Sequence, residues 1–155
     1  MSLKKFAVGL VIVAVLGAVG AWLTKPVLAH RSDLINAEIE VTMKEFGFDL
    51  KIVKSDGAAE LKDNVLNLKV GKIVRFKIKN GGTTRHDFHL GNTADTASEL
   101  YKNNPFEPYD MLELDVGSKT DLTLTIPDKA GDYEMGCFQA GHYAAGMKRP
   151  IKIVK

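Results

Sequence analysis

Ile39, Val41 and Met43 alternate with Glu40, Thr42 and Lys44, the two-residue period of a strand with one buried face. The alternation returns at Leu66, Leu68 and Val70, at Val74, Phe76 and Ile78, at Leu122, Leu124 and Ile126, and at Ile151 and Ile153 around Lys152. Gly71, Asn80-Gly81-Gly82, Gly117, Pro127-Asp128 and Gly131 fall between these runs, where turns need a positive or a fixed φ. Short strands at this rhythm predict an all-β sandwich of about seven or eight strands. Asn92 to Asp110 breaks the rhythm. There Thr93 or Asp95 is placed to cap a short helix over Ala97 to Lys102, which Asn103-Asn104-Pro105 would end.

The N-terminus follows another rule. Lys4 and Lys5 precede Phe6 to Leu23, which holds no charged residue, and Val27-Leu28-Ala29 supplies the small residues of a cleavage site. Residues 1–29 therefore read as an export signal, followed by a single domain over residues 30–155. The apolar run is long for a cleaved signal and just long enough to span a bilayer, so an uncleaved anchor helix over residues 6–23 remains open. Both outcomes place the domain in the periplasm or otherwise outside the cytoplasm, because Lys4 and Lys5 hold the short N-terminus inside. Only the uncleaved form would meet the membrane.

At 155 residues, with 45% hydrophobic and 26% charged content, the chain has room for one globular domain and no second. Residues 1–29 contain three lysines and no acid, so their loss takes the net charge from +2 to −1. That balance excludes nucleic acid, which needs a basic stripe. Arg75, Lys77 and Lys79 read as a solvated strand face, and Met43, Met111 and Met135 sit at core-like positions. The sole cysteine, Cys137, cannot form an internal disulfide. In an oxidising compartment a free thiol is a liability unless a metal occupies it.

The candidate chemistry lies in Gly131-Asp-Tyr-Glu-Met-Gly-Cys137-Phe-Gln-Ala-Gly-His142-Tyr-Ala-Ala-Gly-Met147-Lys148. A thiolate, an imidazole five residues on and a thioether five residues further form a soft donor set. One more imidazole would complete the trigonal His2Cys site with a weak axial Met that suits copper in electron transfer. Gly141 and Gly146, each just before a donor, let the backbone turn sharply enough to gather them. The further imidazole is His86 or His89, both in Asn80-Gly-Gly-Thr-Thr-Arg-His86-Asp-Phe-His89-Leu.

Together these segments resemble the type 1 blue copper proteins, the cupredoxins, and most closely the small periplasmic plastocyanin- or azurin-like members with a Gly-His-x-x-x-Gly-Met loop. The resemblance covers most of the chain after residue 37. It implies a Greek-key β-sandwich, one copper per chain, and a first ligand followed by an acidic or amide residue and then an aromatic. His86-Asp87-Phe88 fits that order and His89 does not, leaving His89 as a surface or hydrogen-bonded histidine. The implied metal ligands are His86, Cys137, His142 and Met147, with Met147 axial. Phe88 should sit in the core and fix the His86 ring, while Asp87 faces the other way and ties the two ligand segments together.

The resemblance further implies that the His142 ring edge reaches the surface, where Phe138, Tyr143, Ala144 and Ala145 would form an apolar landing patch for a redox protein partner. Lys148 and Arg149 could steer an acidic partner, and the family usually has glycine at the position of Arg149. A monomer is expected. The implied function is one-electron transfer between extracytoplasmic partners, the alternative being copper handling for tolerance or delivery; no Met-rich or His-rich tract is appended. An enzyme is not expected. A second copper site would need more histidines than His30 and His89, and a binuclear centre would need a second cysteine. Cleavage after Ala29 would give His30 a chelating α-amino group, although a disordered end is the simpler reading.

Overall fold

The computed structural model describes residues 34–102, 104–106 and 111–155. The expected leader over residues 1–29, its anchor segment 6–23 and His30 lie outside the described residues. Among the described residues no helix is long and apolar enough to cross a membrane.

The described chain forms twelve strands: β1 (Ala37–Lys44), β2 (Gly47–Ser55), β3 (Ala59–Lys62), β4 (Val65–Lys69), β5 (Ile73–Asn80), β6 (His86–Gly91), β7 (Ala94–Asp95), β8 (Leu100–Tyr101), β9 (Met111–Leu114), β10 (Lys119–Thr125), β11 (Gly131–Gly136) and β12 (Lys148–Val154). One sheet has the order β10-β5-β1-β2 and the other β3-β4-β12-β11-β6-β9, while β7 and β8 pair as a separate ribbon. The parallel pairings β1 with β5 and β4 with β12 join strands distant in sequence, so the chain crosses between edges instead of meandering.

Alternation explains the packing. Ile39, Val41 and Met43 of β1, Val74, Phe76 and Ile78 of β5, and Leu66, Leu68, Met135, Ile151 and Ile153 of the second sheet are all at most 1% exposed and belong to one core cluster. Phe88 of β6 joins the two sheets, its ring centroid 6.3 Å from Phe48 on β2 and 5.8 Å from Phe76 on β5. Met43 and Met135 are core residues as expected, but Met111 is 57% exposed at the start of β9, on the outer edge of its sheet.

Strand β6 departs from alternation, because every residue from His86 to Gly91 is buried. Its outer face is covered by the segment expected to be a helix. Residues 97–102 instead form a turn and β8, since the Asp95 carboxylate accepts the Ala97 N–H at 3.2 Å and the Ser98 hydroxyl at 3.1 Å, offering the backbone a local alternative to helix. Tyr101 is thereby buried against Gly91 and Gly136, where an added Cβ would collide with its ring or hydroxyl. Asn104 Nδ2 donates to Leu90 O at 2.5 Å.

Candidate metal centre

Three turns deliver the candidate residues. Asn80, fully buried, braces the first: its Oδ1 accepts Gly82 N–H at 2.9 Å, and its Nδ2 donates to Thr84 O at 2.8 Å and Leu114 O at 2.9 Å. His86 follows as the first residue of β6. Cys137 comes directly after β11, the antiparallel neighbour of β6, with Gly136 opposite His89. The loop beyond it is pinned by His142 N–H to Gln139 O at 2.8 Å, Ala145 N–H to Gly141 O at 2.9 Å and Gly146 N–H to Tyr143 O at 3.0 Å. Gly141 at φ 84° and Gly146 at φ 98° take left-handed conformations that a side chain disfavours.

These turns bring His86, Cys137 and His142 together. The two Nδ1 atoms stand 3.2 Å apart, and Cys137 Sγ is 3.9 Å from His86 Nδ1 and 3.4 Å from His142 Nδ1. A triangle of these sides has a centre about 2 Å from each corner, close to the metal–imidazole and metal–thiolate bond lengths that zinc shows. One soft and two borderline donors around a point of that size suit copper. Met147 is fully buried, and its main chain accepts the Cys137 N–H at 3.1 Å and donates to His142 O at 2.9 Å, which sets the residue beside both. Among the described residues, His86, Cys137 and His142 are the one group of three or more His, Cys, Asp and Glu side chains whose donor atoms converge, within 4.8 Å of one another.

The electrostatics favour metal over proton at one donor and delay it at another. Burial, and then the neighbouring His142, push the His86 imidazole below its ordinary value, leaving it neutral with a lone pair to donate. Burial pushes the Cys137 thiol up, opposed by main-chain N–H groups of Asp87 and Gln139. The Asp87 N–H reaches Sγ at 3.3 Å. Those amides aim at a thiolate, so a metal that displaces the proton finds the sulfur's remaining charge already solvated.

Asp87 faces away from the donors, as its strand position requires, and accepts a 2.7 Å hydrogen bond from Gln139 Nε2. His89 is absent from the triangle, as expected, but it is not at the surface. It is 2% exposed, its ring centroid lies 4.9 Å from that of Phe138 in an edge-to-face contact, and its Nε2 lies 3.8 Å from Asp87 Oδ2. Burial of both faces of β6 put it inside.

The surface near His142 also differs from expectation. Phe138 is buried and stacks on Tyr143, centroids 5.0 Å apart and planes 4° from parallel, so it backs the loop and offers no landing surface. The exposed aromatic is Phe46 of the β1–β2 turn, 54% exposed with its ring centroid 5.7 Å from that of His142 and the planes 77° apart. Lys148 Nζ lies over Tyr143 at 4.7 Å, and Arg149 turns to Phe48 O at 3.5 Å, so the basic pair is divided. Glu45, next to Phe46, was also without a sequence signal. The Thr83 main-chain N–H, foremost among its partners, holds its carboxyl down to about 2.

No family model matches the chain. The copper-resistant cuproprotein CopI of Rubrivivax gelatinosus is 29% identical over 103 residues, which span 63% of this chain and 61% of that protein. Auracyanin from Roseiflexus castenholzii superposes with a TM-score of 0.56 at 18% identity, over 78% of this chain and 99% of that one. Auracyanin A, a blue copper protein of Chloroflexus aurantiacus, gives 0.51 at 20% identity over 76% and 98%. Rusticyanin from Thiobacillus ferrooxidans gives 0.54 at 17% identity over 76% of each chain. The chain has the cupredoxin fold, and its His-Cys-His cluster, with His86 and Cys137 buried and His142 half-buried, fits a type 1 copper site.

Proposed function

We propose that the protein binds one type 1 copper through His86, Cys137, His142 and Met147 and passes single electrons between extracytoplasmic redox partners. The observation that carries this reading is the triangle of two imidazole nitrogens and one thiol sulfur, gathered by the turn that Asn80 braces and the hydrogen-bonded loop after Cys137. A bound copper would supply a one-electron couple. The chain's residues do the rest: the core around Phe88 fixes the His86 ring, the Asp87 and Gln139 amides hold the sulfur, and the half-buried His142 ring offers an edge at the surface. Small interfaces suffice for electron-transfer encounters, and Phe46, Ala144 and Ala145 beside His142 give an apolar one. The reading is of a carrier and not an enzyme. Redox titration of the copper-loaded protein tests it: a coloured oxidised form that bleaches reversibly with one electron supports it, and a colourless or irreversible product contradicts it.

The likeness to a copper-resistant cuproprotein favours a second reading, periplasmic copper handling for tolerance or delivery. The two separate in cells. Deletion that causes copper sensitivity with normal respiration supports handling, and a respiratory defect without copper sensitivity supports electron transfer.

A further inference from the structure

The His86 ring has a second nitrogen without a hydrogen-bond partner among the described residues. Nδ1 faces Cys137 and His142, whereas Nε2, on a ring with no exposed surface, meets no donor or acceptor there within hydrogen-bond range. A histidine that ligates through one nitrogen carries its proton on the other, and that N–H ordinarily meets a carboxylate, a carbonyl or a water. Glu45 Oε1 lies 3.9 Å from Nε2, outside hydrogen-bond range and within ionic contact.

The carboxylate is held there by the turn that feeds His86 into β6. Oε1 accepts the Thr83 main-chain N–H, and the Thr83 hydroxyl at 2.9 Å. Gly82 leaves the gap open: a Cβ at that position would stand 2.5 Å from His86 Nε2 and 2.7 Å from Glu45 Oε1, filling the space between them. The next residue, Phe46, adopts φ 62°, a conformation unfavourable for an aromatic side chain, and its ring meets His142. One hairpin tip, about forty residues before His86 in sequence, thus addresses both imidazoles.

We propose that Glu45 is a positioning residue of the metal centre: clamped by Thr83 across the Gly82 gap, its carboxylate keeps the His86 proton on Nε2, leaves the Nδ1 lone pair aimed at Cys137 and His142, and biases a bound copper toward its oxidised form. Only the last clause rests on the copper reading. An anion beside the N–H of a ligating imidazole makes that imidazole a stronger donor and favours the more positive metal state.

Nitrogen-15 NMR of the metal-free full chain tests the first part. Wild type is expected to hold His86 as the Nε2–H tautomer, Glu45→Ala to mix the two tautomers, and Glu45→Asp, which keeps the charge, to recover part of the preference. Voltammetry of the copper-loaded protein tests the second. The nearly isosteric Glu45→Gln is expected to raise the midpoint potential while leaving the absorption spectrum recognisably type 1, by about a tenfold change in the oxidised-to-reduced ratio, or about 59 mV for one electron. An unchanged tautomer in Glu45→Ala overturns the positioning role, and an unchanged midpoint in Glu45→Gln overturns the redox bias. A wild type that takes up no copper contradicts the proposed function instead, and the tautomer measurement still decides the role of Glu45.

Discussion

Gln139 Nε2 donates to Asp87 Oδ1 at 2.7 Å, so two residues 52 positions apart, each within two residues of a candidate metal ligand, are tied by one hydrogen bond. The tie links the segment carrying His86 to the loop carrying Cys137 and His142. It holds their separation without a metal, as the proposed electron-transfer role would require.

The tie has a pH signature. Burial raises the Asp87 carboxyl, but the nearby His89 imidazole and the Gln139 hydrogen bond outweigh it and leave the group below its ordinary value. A depressed carboxyl stabilises the fold above its unfolded pKa of about 3.9 and loses that contribution as pH falls through the folded value. Asp87→Asn should therefore cost about 1.5–3 kcal/mol at neutral pH, the range for a hydrogen bond to a charged group. Denaturant melts of both proteins from neutral to acid pH should show the difference shrinking below pH 4.

Phe88 is the packing counterpart of that tie. It is fully buried where β6 meets β2 and β5, and Phe88→Ala should destabilise the metal-free domain by about 3–5 kcal/mol. Chemical denaturation measures this directly. A loss under 1 kcal/mol would mean that Phe88 does not join the two sheets as its packing implies.

Met147 separates structure from tuning. It is fully buried, and Met147→Leu conserves volume, so stability should change by less than about 1.5 kcal/mol. The copper-loaded variant should remain coloured and show a higher midpoint potential, because the thioether no longer donates to the oxidised ion. An unchanged potential would remove Met147 from the site.

Metal should stabilise the fold through the same side chains. Copper(I), added without oxygen at about a hundred times its dissociation constant, should add about 2.7 kcal/mol to the unfolding free energy. Cys137→Ser should abolish most of that gain while the metal-free melt stays close to wild type. A gain that survives the substitution would place the metal elsewhere.

Much of this was legible in the sequence. The alternation at Ile39 to Met43, Phe76 to Ile78 and Ile151 to Ile153 marks buried strand faces, and the spacing of Cys137, His142 and Met147 marks the loop. The strand count was underestimated because β3, β7, β8 and β9 are two to four residues long, too short to show a period, and the second half of β2 is an edge with little buried face. The helix expected over residues 97–102 lost to side-chain hydrogen bonds of Asp95. The surface alternative for His89 fails because period two assumes one wet face, and β6 has none. Glu45 and Phe46 had no signal at all, since their contacts with Thr83, His86 and His142 arise from the pairing of distant strands.

X-ray absorption at the copper edge of the loaded protein, wild type beside Cys137→Ser, tests the central claim most directly. One short sulfur scatterer with two imidazole nitrogens in wild type, and loss of that sulfur in the variant, is the predicted result. A copper shell of nitrogen and oxygen alone, the same in both proteins, would contradict it.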